Sequence, residues 1–262
     1  MNTPPPLTAH TLREAFTAGN ALVRHHFWRY GLQGAFLFLL MGSASALTAI
    51  FHHGRPVQPG PLSQFAISTL TGLFSVGLYR SLWDGLSGEA IRFRRLFWGF
   101  GKPAAWALAI IPALLSIPTA LLVPLRQGHL DASPWVAVPL FAIVILVGLV
   151  VGYAFALTAR LDAPPALSSL RLALGIFRRG RRRWIALPFL LGLAIMGAAL
   201  VLMLVFGAML FLAVHLHVSK AAIGLLALLV MAPLVIVLFM MLFPWMGGAT
   251  VAAAGSLESE AE

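Results

Sequence analysis

Five histidines lie in three separate pieces of the chain: His52 and His53, His129, and His215 with His217. Imidazole binds zinc or copper, and first shells often use two to four of them, so these pieces form a metal site only by converging. The pattern favours solvated side chains. His215 and His217 point to different sides of a helix, and Asp131 is the one acid on their side of the membrane. The five histidines are weak metal candidates, and no metal is expected.

Arg80 and Asp84 stand at i and i+4, and Arg160 and Asp162 follow a later apolar stretch. Charges inside a bilayer are expensive and usually functional, but these sit at span ends, where an ion pair anchors a helix terminus. Proton or sodium coupling through the spans therefore has no carrier. Hydroxyls such as Ser43, Ser68, Thr71, Ser75 and Ser116 are scattered, without a G-x-S-x-G elbow or an H-E-x-x-H pair. The chain has no cysteine, which removes thiolate nucleophiles, disulfides and cysteine-ligated clusters. No catalytic residue and no cofactor is expected.

The densest charge is Arg178, Arg179, Arg181, Arg182 and Arg183 around one glycine. With Arg94, Arg95 and Arg171 these are the candidates for binding anionic lipid headgroups or an acidic protein partner. A net charge of +10 would also suit nucleic acid. Here, however, the basic residues lie between apolar stretches, the pattern of a bilayer face, and no nucleic acid is expected.

The elements that carry these residues follow from composition. The 262 residues are 60% hydrophobic and 10% charged, with a mean hydropathy of +0.92. That is too much apolar surface for a water-soluble domain, so hydrocarbon must be the solvent for most of it. Six stretches reach the length of a spanning helix: 30–51, 62–82, 103–125, 134–159, 184–214 and 221–247. Of the 18 Lys and Arg, 15 fall in three alternate connecting segments, which puts those segments and both termini in the cytoplasm. Trp28, Trp83, Trp98, Trp106, Trp184 and Trp245 fall near the same boundary, as an interfacial belt would. Ala44-Ser45-Ala46 resembles a signal cleavage site, but about thirty residues precede its apolar run, so cleavage is not expected.

The inner segments read as amphipathic helices lying in the headgroup layer. Thr11 and Glu14 form a capping box; Leu12, Phe16, Gly19, Val23 and Phe27 then share one face of a helix over about 11–27. Phe93, Leu96, Phe97 and Phe100 repeat the spacing, with Arg94 and Arg95 between them. Leu167, Leu170, Leu174 and Phe177 do so again, with Arg171 and Arg178 read as opposite. Each segment carries a glycine, basic residues, a tryptophan and then an apolar span, which suggests a threefold repeat of interfacial helix plus hairpin. The residues from 256 onward, with Glu258, Glu260 and Glu262, read as a disordered acidic tail.

The stretch TGLFSVGLYRSLWDGLSGEAIRFRRLFWGF, from Thr71 to Phe100, resembles a group of bacterial six-span membrane proteins of unknown function. That group is related to the membrane domain fused to some glycerophosphodiester phosphodiesterases. The resemblance rests on Gly72 and Gly77 in a small-residue span, on Gly88-Glu89, and on a basic aromatic segment closing with Gly99-Phe100. It implies six spans with interfacial elements, in the bacterial inner membrane, and brings no catalytic residues.

The expectation is thus one all-α polytopic membrane domain over 1–255, with six transmembrane helices and amphipathic helices on the cytoplasmic side. Functionally it reads as a non-enzymatic protein that organises lipids, partner proteins or further copies of itself at the inner face. The alternatives are a channel or transporter for a lipid-like or small neutral solute, suggested by prolines in the spans, and an intramembrane enzyme.

Overall fold

The computed structural model describes residues 9–51, 61–126, 134–160, 165–178, 182–215 and 220–259. These are helical nearly throughout, and no strand occurs among the described residues. The helices are α1 (Leu12–Phe51), α2 (Pro61–Leu86), α3 (Pro103–Arg126), α4 (Pro134–Thr158), α5 (Ala166–Arg178), α6 (Arg182–His215) and α7 (Lys220–Ser259), with a 3₁₀ helix at Phe93–Gly101 between α2 and α3. Among the described residues, three stretches are long and apolar enough to cross a membrane: Leu62–Leu86, Trp184–Phe211 and Pro233–Ser256. The chain is therefore membrane-associated.

Side-chain size decides how the helices meet. α1 packs most extensively on α7, where Gly19 lies against the Trp245 carbonyl and Gly248 faces Leu22 and Gly19. Small residues let two backbones approach, which is how membrane helices gain contact without a hydrophobic drive between them. Phe16 stacks on Trp245 at 5.2 Å, and the Ala9 N–H donates to the Ala252 carbonyl at 3.1 Å. The backbone leaves helical geometry at His26 (φ −136°, ψ 28°), so the amphipathic part of α1 and its apolar part are two helices joined at a kink. Burial, then the nearby Arg29 and His25 charges, push the His26 imidazole below its ordinary pKa.

Three expectations change. First, the apolar face of Leu12–His25 does not rest on lipid. Of that face, Phe16 stacks on Trp245 of α7 and Gly19 lies against the Trp245 carbonyl, and beside them Ala15, Ala18 and Leu22 are buried. Second, α7 continues through Ser259, with Val251–Ser256 buried, so the tail expected from 256 is helical as far as the chain is described there. At ~1.5 Å per residue its 40 residues run about 60 Å, twice a hydrocarbon core, and the surplus is what α1 packs against. Third, the segment after α2 is a 3₁₀ helix. With three residues per turn it buries Leu96 and Gly99 and leaves Phe93 and Phe97 half exposed.

α5 is an α-helix as expected, but its faces are assigned differently. Ser169 and Ala173, four apart, are buried, while Leu167, Arg171 and Leu174 are exposed together. At ~100° per residue Arg171 is about 40° from Leu167, on the same side and not opposite. α6 buries Trp184, Leu187 and Leu191 near its start, and its described large side chains beyond them are half-buried or exposed. Only 6% of its apolar window is buried, against 39% in α2.

Candidate functional site

The polar groups gather where α2 ends. Gly88 takes a left-handed φ of +76°, its N–H donates to Gly85 at 3.2 Å, and the Glu89 N–H reaches back to the Asp84 carbonyl at 2.8 Å. These two bonds are a Schellman stop, which satisfies the last carbonyls of α2 and reverses the chain. The reversal brings the 3₁₀ helix back along α2. There Gly77 lies against the Leu96 carbonyl and Gly99 against the Leu73 carbonyl, closer than any side chain would allow.

That return places three charges in one buried cluster. Arg80 and Asp84 pair across one turn of α2, and Arg95 Nε meets the other Asp84 oxygen at 2.8 Å. The Arg80 and Asp84 side chains are 3% and 0% exposed, while Glu89 sits 4.0 Å from Arg80 at the rim. Arg80 Nη1 also donates to the Ala159 carbonyl at 3.4 Å, and Trp83 Nε1 to the Ala156 carbonyl at 2.7 Å. Ala156 lies in the last turn of α4 and Ala159 directly follows it, where backbone acceptors lack a helical partner. The Arg160 guanidinium stands 5.7 Å from the Trp83 ring centre, completing the cap.

α1 joins from the opposite side. The Tyr30 hydroxyl donates to the Ser81 carbonyl at 3.1 Å, and Gln33 Nε2 reaches Ser81 Oγ at 3.2 Å and the Arg92 carbonyl at 3.5 Å. Gly85 provides the space that the Tyr30 hydroxyl fills. Elsewhere Tyr153 donates to the Trp184 carbonyl at 2.9 Å, tying α4 to the start of α6, and Thr158 bonds Ser169 at 2.8 Å, tying it to α5. Chemically the cluster is a clamp. A carboxylate held by two guanidiniums is charge-neutralised and has little left to offer a metal.

The expected site residues separate. Arg80 and Asp84 do form the pair, and Arg95, expected with Arg94 at the headgroups, turns inward onto Asp84. Arg94 and Arg171 are exposed beside exposed apolar side chains. Arg178 ends α5 and Arg182 and Arg183 begin α6, while Arg179 and Arg181 lie outside the described residues. So do His52, His53, His129 and His217; His215 is exposed at the end of α6, its ring 5.7 Å from Phe211. No group of three His, Cys, Asp or Glu suited to a metal occurs among the described residues.

Sequence reasoning missed Arg95 as the second cation on Asp84, and Trp83 as a cap for α4 rather than a belt residue. Helical spacing links 80 to 84, but only the Gly88 reversal links 84 to 95. The signal was the Gly88-Glu89 pair after an apolar run.

No family model, curated protein or solved structure matches this chain.

Proposed function

We propose that this chain is a non-enzymatic, six-span protein of a bacterial inner membrane that binds and organises anionic lipids at its cytoplasmic face. The observation that carries the reading is the exposed side of α5. Leu167 and Leu174 are 59% and 48% exposed with Arg171 between them, while the small Ser169 and Ala173 face the protein. A helix that turns its large apolar groups outward beside a cation suits a headgroup layer, with acyl chains under the leucines and phosphates near the arginine. Exposed Trp28, 71% accessible beside exposed Arg24 and Arg29, supports the same level in the bilayer.

Six spans are supported by the lengths of the remaining helices: α3 and α4 have 24 and 25 residues, and α1 runs on from its kink at His26 to Phe51. The orientation rests on the basic segments. The threefold repeat is left out of this reading, because the three inner segments differ in form: one packs under α7, one is 3₁₀ and one is a free-faced α-helix.

The test replaces Arg178, Arg179, Arg181, Arg182 and Arg183 with glutamine in the full chain, reconstituted into mixed vesicles. Spin-labelled phosphatidylglycerol should lose its enrichment over phosphatidylcholine around the protein several-fold. An unchanged enrichment, with the variant folded, would remove the basis for a lipid-organising role.

A further inference from the structure

A second exposed track runs from the 3₁₀ helix onto α3. Arg94, Phe97 and Phe100 repeat every three residues and share one edge of the 3₁₀ helix. Trp106, Ile110 and Leu114 repeat every four and share one face of α3. Arg94 is exposed, as is Arg92 at the segment's start. Below them Phe97 is 47% exposed, Trp106 40%, Ile110 38% and Leu114 55%. Aromatic contacts join the two halves: Phe97 to Phe100 at 6.2 Å, and Phe100 to Trp106 at 6.2 Å edge to face. From Trp106 to Leu114 the apolar track extends ~12 Å along the helix.

Fixed contacts within the track and beneath it hold it in place. The Trp106 N–H donates to the Phe100 carbonyl at 3.0 Å, which fixes the ring. The Arg95–Asp84 pair and the close approaches of Gly77 and Gly99 lock the 3₁₀ helix to α2. Of the acids nearby, Asp84 is buried between its two arginines and Glu89 lies toward Arg80, so the field at Arg92 and Arg94 is positive. Lys102, 5.0 Å from the Trp98 ring centre, adds to it.

We infer that this track is a binding site for a single anionic phospholipid. Its phosphate sits on Arg92 and Arg94, and one acyl chain lies along Phe97, Trp106, Ile110 and Leu114. A cation at the head of a fixed apolar track matches a phosphate ester with a long chain. It does not match a free phosphate, which leaves the track empty, or a zwitterionic lipid, which brings an ammonium to a positive field. Fixing the site beforehand removes part of the ordering cost of binding, which distinguishes it from the fluid lipid around the other helices. The inference rests on the proposed inner-face lipid role and assigns one lipid to one place.

Native mass spectrometry of the full chain in detergent tests it, with phosphatidylglycerol and phosphatidylcholine as ligands. The first phosphatidylglycerol should bind about tenfold more tightly than phosphatidylcholine, and Arg92→Gln with Arg94→Gln should erase that margin, as expected when the charge-assisted contacts to the phosphate are lost. Leu114→Ala, remote from the charges, should weaken both lipids alike, and millimolar inorganic phosphate should displace neither. Unchanged phosphatidylglycerol binding in the Arg92/Arg94 variant overturns the site, as does displacement by phosphate or insensitivity to Leu114→Ala. If the selectivity follows the five-arginine variant instead, the inner-face role stands and this site falls; if neither variant alters it, both fall.

Discussion

Asp84 holds together two elements that share no sequence periodicity. Its two oxygens meet Arg80 from its own helix and Arg95 from the 3₁₀ helix, with both α2 side chains out of water. A buried ionic cluster gains little over apolar packing of the same volume, but losing one member leaves the others charged and unpaired. Asp84→Asn is therefore expected to destabilise the protein by about 3–5 kcal/mol. Thermal unfolding in detergent reads this directly. Arg95→Gln, whose side chain is 29% exposed, should cost clearly less. Equal losses for the two would mean that the cluster is not held through Asp84.

Among the helices, glycines separate packed faces from bare ones. A methyl group at Gly77 would overlap the Leu96 carbonyl, whereas one at Gly197 or Gly207 on α6 would meet nothing within 4 Å. Gly77→Ala must push the 3₁₀ helix away from α2, at a cost of about 1–3 kcal/mol. Gly197→Ala should be neutral or slightly stabilising, since alanine favours helix by up to ~1 kcal/mol. Melting temperatures of the two variants, compared side by side, check this; a large loss at Gly197 would reveal a neighbour on α6 that the single chain does not supply. Gly72, in the same small-residue span, likewise lies against Ala109 of α3. The 3₁₀ form of Phe93–Gly101 was not readable, because an α-helical and a 3₁₀ reading of four aromatic and aliphatic residues differ only in which face is buried.

Orientation belongs to the assembled protein in its bilayer, and the absence of cysteine makes it simple to measure. Single cysteines replacing His53, His129 or His217 should react with a membrane-impermeant thiol reagent added to intact cells. Cysteines replacing Arg92 or Ser259 should react only after the membrane is opened. The reverse pattern would invert the topology, and labelling of adjacent connections from the same side would break the six-span count.

The amino-acid sequence by itself determined that this is a helical membrane chain, and it placed the limits of α3 and α4 closely, though not the end of α7. Expected 103–125 and 134–159 became Pro103–Arg126 and Pro134–Thr158. The reason is that span length, apolar content and breaker residues are local properties, set by the bilayer and the backbone before any helix meets another. Tertiary structure alone decided what those helices do with their polar groups. It turned Arg95 inward and Arg94 outward, covered the amphipathic face of α1 with an overlong α7, and left Leu167 and Leu174 bare beside Arg171. Neighbouring residues of identical type took opposite roles because burial depends on which backbone arrives from elsewhere in the chain. Here that was set by a glycine reversal at 88 and by the close approaches of a few further glycines.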